Sequence, residues 1–227
     1  MRLPTTIQKL DAYLLRHPWD FVEILIVDDG SSDGTAALVT ALASANPVYK
    51  LVSNPGNRGK GFAVKNGALA SRGDWVLVTD ADLSAPIDDL GKLLQGALDL
   101  QADIAIGSRA IDRSLVSVRQ PMFREYSGRF FNLVMRAITG LAFKDTQCGF
   151  KLFHRRTVQA IFSRQVIEGF GFDVENLFLA RLLGFKAVEI PVRWANVEGT
   201  KVSLMSGLNG FLDLVRVRWY QLSGRYR

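Results

Sequence analysis

Residues 75–84 read WVLVTDADLS. Five apolar or β-branched residues are followed by Asp80-Ala81-Asp82. A run of this length, bounded by a polar turn, reads as a strand rather than a helix. In extended backbone, side chains at i and i+2 project to the same side, so Asp80 and Asp82 converge just past the strand's carboxyl end. Two convergent hard oxygen donors suit Mg2+ or Mn2+, which completes its shell with water and phosphate oxygens. An Asp-x-Asp pair by itself fits a solvated loop equally well, so the flanking sequence has to decide.

Upstream, VEILIV (residues 22–27) is a second apolar run, and it ends in DDGSSDG. Thr35 to Ser44 reads as a helix and 48–52 as a strand. Gly61 to Ala70 reads as a helix behind the glycine-rich NPGNRGKG. Downstream, 87–100 reads as a helix entered at Pro86, and 104–107 as a strand. This alternation predicts an α/β fold with a parallel sheet covered by helices. Ligands of such sheets bind at the carboxyl ends of the strands, so Asp28-Asp29 and Asp80-Asp82 should face one cleft. An ionised Asp28 or Asp29 only accepts hydrogen bonds, which suits a base N–H or ribose hydroxyls. The same Asp-Gly-Ser composition also builds turns without any ligand. In NPGNRGKGFAVKNGA (54–68), Gly56, Gly59 and Gly61 allow close backbone approach. Arg58 and Lys60 add positive charge at a helix N-terminus, which attracts phosphate. The glycine spacing is not that of a dinucleotide fingerprint, so a nicotinamide cofactor is rejected.

After Gly107 the pattern changes. Residues 109–136 hold Arg109, Arg113, Arg119, Arg124, Arg129 and Arg136 among Phe123, Tyr126, Phe130, Phe131 and Met135. The composition suits a site for an anionic headgroup at a membrane surface, since arginine forms bidentate bonds to phosphate. It also suits a solvated helix face with core aromatics. CGFKLF (148–153) is strand-like, a helix is expected near 174–183, and a strand at 187–194. A final helix over 207–222 spaces Phe211, Leu212, Val215, Trp219 and Leu222 at helical intervals. It reads either as an interfacial membrane helix or as a packing helix. The net charge of +6 favours an anionic partner, but the basic residues join no recognisable nucleic-acid module. The single cysteine, Cys148, excludes an intramolecular disulfide framework. No run reaches the roughly 18 apolar residues of a transmembrane helix. A cytoplasmic protein, peripheral on the cytoplasmic face of a membrane, is the expectation. His17 and His154 are poor candidates for a general base.

Taken together, VDDGSSDGT, NRGKGFAVKNGA and WVLVTDADLSAP resemble the nucleotide and metal motifs of family 2 glycosyltransferases with the GT-A fold. IAIGSR (104–109), REYSGRFFN (124–132), DTQCGFKLF (145–153), GFGFDVE (169–175), PVRW (191–194) and VEGTKVS (197–203) are similar to dolichyl-phosphate β-glucosyltransferases. The resemblance implies one GT-A (Rossmann-like) domain over 1–227 with a mixed, mainly parallel sheet. Its nucleotide and metal half would run to about 108, its acceptor half over 109–206, and a basic amphipathic helix over 207–227. It implies inverting transfer of glucose from UDP-glucose to dolichyl or another polyprenyl phosphate, with Mg2+ or Mn2+. Asp80 and Asp82 fall on the metal motif. Asp28 and Asp29 fall on uridine contacts, with Lys60, Asp80 and Lys201 also on the donor. Arg109, Arg124 and Arg129 fall on acceptor-phosphate positions. Arg193, near the diphosphate, is counted with them. Asp173 and Glu175 lie in the segment lining the acceptor side, where Asp173 would orient the acceptor. Two alternatives are a polyprenyl-phosphate mannosyltransferase using GDP-mannose and a non-catalytic, membrane-binding homologue. Ser84, where mannosyltransferases often carry glutamine, favours glucose. The family's first apolar strand and its nucleotide loop have no counterpart in these residues, so a gap in the sheet is expected.

Overall fold

The computed structural model describes residues 3–118, 122–196 and 204–227, without the side chains of Arg124 and 204–208. Arg119, Lys201 and the whole 197–203 motif therefore lie outside the described residues, as does the Arg124 side chain.

The strands are β1 (Ile24–Asp28), β2 (Tyr49–Ser53), β3 (Trp75–Thr79), β4 (Ile104–Ser108), β5 (Val116–Val118), β6 (Phe150–His154), β7 (Ala187–Pro191) and β8 (Trp194–Ala195). The helices are α1 (Leu3–Arg16), α2 (Thr35–Ala45), α3 (Lys60–Ala70), α4 (Leu90–Asp99), α5 (Met122–Thr139), α6 (Arg155–Phe162), α7 (Phe172–Leu182) and α8 (Leu204–Leu222). Boundaries read from the sequence hold to within a few residues. The strand expected over 187–194 breaks at Val192, and its last residues leave the sheet to pair with β5.

The main sheet has the order β3-β6-β4-β7. Strand β6 runs antiparallel to both neighbours, while β4 and β7 are parallel. The sheet is mixed, as the resemblance implied, because β6 returns after the long α5 excursion, entering from the opposite end. That reversal has a functional consequence. Its register sets Thr79 opposite Phe150 and Ile106 opposite Lys151. The start of β6 therefore lies beside the end of β3, where Asp80 begins.

Alternation along β4 sorts the core into two layers. Ile104 and Ile106 pack with Phe153, Phe162, Phe178 and Met135 on the face covered by α5, α6, α7 and α8. Ala105 packs with Phe150, Leu152, Leu93 and Val192 on the α4 face. Burying each large apolar side chain contributes about 1.5–3 kcal/mol. Helix α7 is buried over Phe172–Ala180, so its polar residues need internal partners.

Strands β1 and β2 form a separate parallel pair. Among the described residues no strand pairing joins β1 to β3, although α3 packs on both. The expected gap in the sheet is present at this point. Four of the five residues of β1 and all of β3 are only half-buried, whereas β4 is buried throughout.

Candidate active site

Asp80 leaves β3 directly into a tight turn in which Leu83 N–H donates to the Asp80 carbonyl at 3.0 Å. Leu83 takes a left-handed backbone (φ 49°), uncommon outside glycine. Its side chain is buried against Tyr13 of α1 and Ile87, which holds the turn in place. Thr6 of α1 adds a hydroxyl bond to the Ala81 carbonyl at 2.6 Å. Helix α1 thus braces the Asp-x-Asp turn, a role its sequence did not announce.

The Asp80 carboxylate sits between two neighbours. On one side is Gly149, where an added Cβ would overlap the carboxylate itself. On the other, Lys60 Nζ lies 2.6 Å from Asp80 Oδ1. Burial opposes the charge on Lys60, but Asp80, Asp173 and Asp82 outweigh it and raise its pKa above the ordinary lysine value. Asp82 Oδ1 accepts from Ser84 N–H at 2.9 Å and Ser84 Oγ at 2.8 Å. Behind them, Asp173 at the start of α7 pairs with Lys151 of β6, which also donates to the Cys148 carbonyl at 2.5 Å. Both side chains of that pair are almost fully buried. Acidic and basic groups thus alternate from the turn inward: Asp80, Lys60, Asp173, Lys151.

This donor set fits a hard divalent ion. Among the described residues no cluster of three or more histidine, cysteine or carboxylate ligands exists. The protein offers two carboxylates, and the cradle at Gly149 is open only because that residue lacks a Cβ. Mg2+ and Mn2+ tolerate so few protein ligands when phosphates and water complete the shell.

The loops after β1 and β2 close against each other. Asp29 accepts from Asn54 Nδ2 (2.7 Å), Arg58 N–H (3.1 Å) and Gly59 N–H (2.7 Å). Burial works against its charge, but these three donors win and hold its carboxyl below the usual aspartate value. Asp28 is buried and accepts from Ser31 N–H at 3.1 Å. Asp29 therefore braces the glycine-rich loop in this structure, while Asp28 shapes its own turn. Gly59 and Gly61 have a structural cause: a Cβ there would meet the Glu168 and Ile167 carbonyls at 2.7 and 2.6 Å. The reading that these glycines admit a ligand's backbone approach is corrected on this point, because the 167–169 backbone fills that space.

A groove of about 460 Å3 opens near Trp194, whose neighbour Ala195 donates its N–H to the Ser84 carbonyl at 2.9 Å. It is lined by Arg109, Arg113, Arg129, Arg136 and Lys144 against Glu125 and Asp145, with Phe131, Leu133 and Trp194 among its apolar walls. Arg109 binds Asp145 with two side-chain bonds of 2.7 Å and stacks 5.3 Å from the Trp194 ring centre. Burial disfavours its charge, yet Asp145 and, more weakly, Asp80 raise its pKa further. Asp80 is thus close enough to the groove to be felt there. Arg129 reaches Glu125 at 3.1 Å, and Arg113 pairs with the same carboxylate.

Two expected site residues go elsewhere. Arg193 makes a two-pronged bond to Asp89 (2.9 and 2.6 Å), a fully buried carboxylate at the start of α4. Glu175 is fully buried and accepts from Val166 N–H (3.0 Å), Ile167 N–H (2.8 Å) and Tyr226 Oη (2.8 Å). It ties the 166–168 loop to the C-terminus instead of lining the acceptor side. Gly149, Lys151 and Asp145 were not singled out from the sequence. Their only signal was that DTQCGFKLF contains them, and their partners lie far away in the chain.

The pattern of Glycosyl transferase family 2 matches residues 2–162. The chain belongs to glycosyltransferase family 2. A dolichyl-phosphate beta-glucosyltransferase of Dictyostelium discoideum is 37% identical over 213 residues, 90% of this chain and 65% of that protein. One of Homo sapiens is 34% identical over 239 residues, covering all of this chain and 74% of its own length. The chain thus spans about two thirds to three quarters of these relatives. Glucosyl-3-phosphoglycerate synthase from Mycobacterium tuberculosis, solved with Mn2+, uridine diphosphate and glucosyl-3-phosphoglycerate, superposes with a TM-score of 0.65 at 20% identity. The match covers 96% of this chain and 76% of that one. At that identity the likeness establishes the GT-A fold of this family 2 member.

Proposed function

We propose that this family 2 enzyme transfers glucose from UDP-glucose to dolichyl or a related polyprenyl phosphate, with Mg2+ or Mn2+ held by Asp80 and Asp82. The observation that carries the reading is a groove rich in arginine whose Arg109 lies within electrostatic reach of Asp80. On this reading the groove takes the acceptor phosphate and the turn takes the diphosphate through its metal. The names of the relatives suggest glucose and dolichyl phosphate, and the uridine diphosphate in the solved neighbour suggests the nucleotide.

Two open apolar stripes support a lipid acceptor. On α5, Met122, Tyr126, Phe130 and Leu133 are exposed at helical spacing, with Phe123 beside them. On α8, Leu212, Val215, Trp219 and Leu222 are exposed in the same way. The opposite faces of both helices pack inward through Phe131, Met135, Leu214 and Val217. The helices meet through Phe211, 5.9 and 5.2 Å from the Phe130 and Phe131 ring centres. Both readings of the last helix therefore apply to it, one per face. An amphipathic pair with arginines beside the apolar stripe lies in a membrane interface. No described helix is long and apolar enough to cross a membrane. We assign the protein to the cytoplasmic face of a membrane.

A bound divalent ion would neutralise charge on the departing diphosphate. Lys60 adds a second cation on the donor side. The groove arginines hold the acceptor phosphate with an oxygen toward the anomeric carbon. That oxygen forms the new C–O bond as the bond to UDP breaks, so the configuration inverts from α to β. The phosphate arrives ionised, and no general base is required. Asp173, held by Lys151, orients the acceptor. Catalysis is then mainly positioning and electrostatic stabilisation.

The test is a donor competition. Purified protein, dolichyl phosphate and Mn2+ are given labelled UDP-glucose or GDP-mannose, and the lipid fraction is chromatographed. Label from UDP-glucose in a β-linked lipid supports the proposal. Label from GDP-mannose alone replaces it with the mannosyl reading. No transfer despite UDP binding favours a non-catalytic membrane protein.

A further inference from the structure

Within the donor site, Lys60 occupies a position that a divalent ion must share. Its ammonium is 2.6 Å from Asp80 Oδ1. The other side of that carboxylate is closed by the Gly149 backbone. Lys60 opens α3, directly after Gly59, whose N–H is bound by Asp29 at 2.7 Å. The backbone end of the side chain is thus fixed, while its flexible stem lets the ammonium move. The ammonium lies 6.0 Å from the Phe172 ring centre and is attracted by Asp80, Asp173 and Asp82 together. The neighbouring Lys151 is buried and already committed to Asp173.

We propose that Lys60 is an exchangeable counter-ion, which neutralises Asp80 in the empty site and moves to the donor's diphosphate as the divalent ion takes Asp80. This inference rests on the donor reading above and adds a coupling to it. An ammonium and a divalent cation on one carboxylate repel each other. Metal alone therefore binds against Lys60, whose other near carboxylate, Asp173, is already paired with Lys151. A nucleoside diphosphate brings that anion. Metal and nucleotide then favour each other beyond the direct ligation of metal by phosphate, and such coupling is reciprocal. The arrangement keeps the site from loading metal ahead of substrate.

The test measures Mn2+ binding to the purified protein by titration calorimetry or by the free-ion EPR signal, with and without UDP. Lys60→Met is expected to bind Mn2+ alone about tenfold more tightly than the unaltered protein. It should bind UDP more weakly, and the factor by which UDP tightens Mn2+ should shrink. Lys60→Arg keeps the charge and is expected to hold Mn2+ alone near the original affinity. It also serves as the folded control. Unchanged or weaker Mn2+ affinity in Lys60→Met, with the UDP-dependent increase intact, overturns the counter-ion role and leaves the donor reading standing. An unaltered protein that binds neither Mn2+ nor UDP overturns both.

Discussion

Around the turns that follow β1 and β3, the charged groups are carboxylates, many of them satisfied by nearby backbone. Asp28 takes Ser31 N–H, Asp29 takes Arg58 and Gly59 N–H, and Asp82 takes Ser84 N–H. Around the groove, arginines dominate and are held by carboxylate side chains, Arg109 by one 36 positions away and Arg129 by one a helical turn away. Arg109 is held by Asp145, and Arg113 and Arg129 share Glu125. The first region is mainly anionic, with Lys60 paired to Asp80, whereas the second is mainly cationic. Beneath the turn, the buried Lys151–Asp173 pair and Gly149 form a floor: Gly149 backs Asp80, and Lys151 lies within electrostatic reach of Asp145 in the groove. If the first region holds the donor and the second the acceptor, as proposed, the two recognitions are separable, and the floor is where damage should affect both.

Breaking the floor gives the largest expected effect. Lys151→Met leaves Asp173 buried without its cation, which costs about 3–5 kcal/mol. Thermal or urea unfolding should show this, and transfer should fall with it. Gly149→Ala is more selective. Its methyl group displaces the Asp80 carboxylate, and a misplacement of about 1 Å costs about 100-fold in rate. Its unfolding midpoint should move far less than that of Lys151→Met. Equal loss of stability in both variants would mean that Gly149 serves packing alone.

Two smaller effects sharpen the division. Arg129→Ala should raise the KM for dolichyl phosphate about tenfold, the scale of one charge-assisted bond already shared with Glu125. The KM for UDP-glucose should stay constant. If both KM values rise together, the two regions are not separable. Trp219→Ala should weaken binding to anionic vesicles by about three- to tenfold, through lost apolar contact with the interface. Turnover of a short-chain, water-soluble acceptor should be unaffected.

The donor side was legible because its chemistry comes in runs. WVLVTDADLS gave strand, turn and both carboxylates from ten consecutive residues. The acceptor side was less legible, since its partners are set by the antiparallel return of β6. Nothing local to Lys151 says that it meets Asp173, 22 positions later. Nothing local to Gly149 says that it backs Asp80. For Arg193 and Glu175, position within a motif could not reveal that Asp89 and the 166–167 backbone hold them. The glycines of NRGKG were correctly seen as sites of close approach, but the approaching backbone is the protein's own. The interruption between β1 and β3 was foreseen from the resemblance. It leaves apolar strands half-buried and is where backbone amide exchange should be fastest among the sheet strands.

The central claim is that Asp80 and Asp82 serve a metal that makes glucosyl transfer possible. It is tested most directly by measuring transfer from labelled UDP-glucose to dolichyl phosphate, with Mn2+ or with chelator, for the unaltered protein and for Asp80→Asn. The account predicts metal-dependent label in the lipid fraction and a loss of about 1000-fold or more in the variant. Full metal-supported turnover by Asp80→Asn would contradict it.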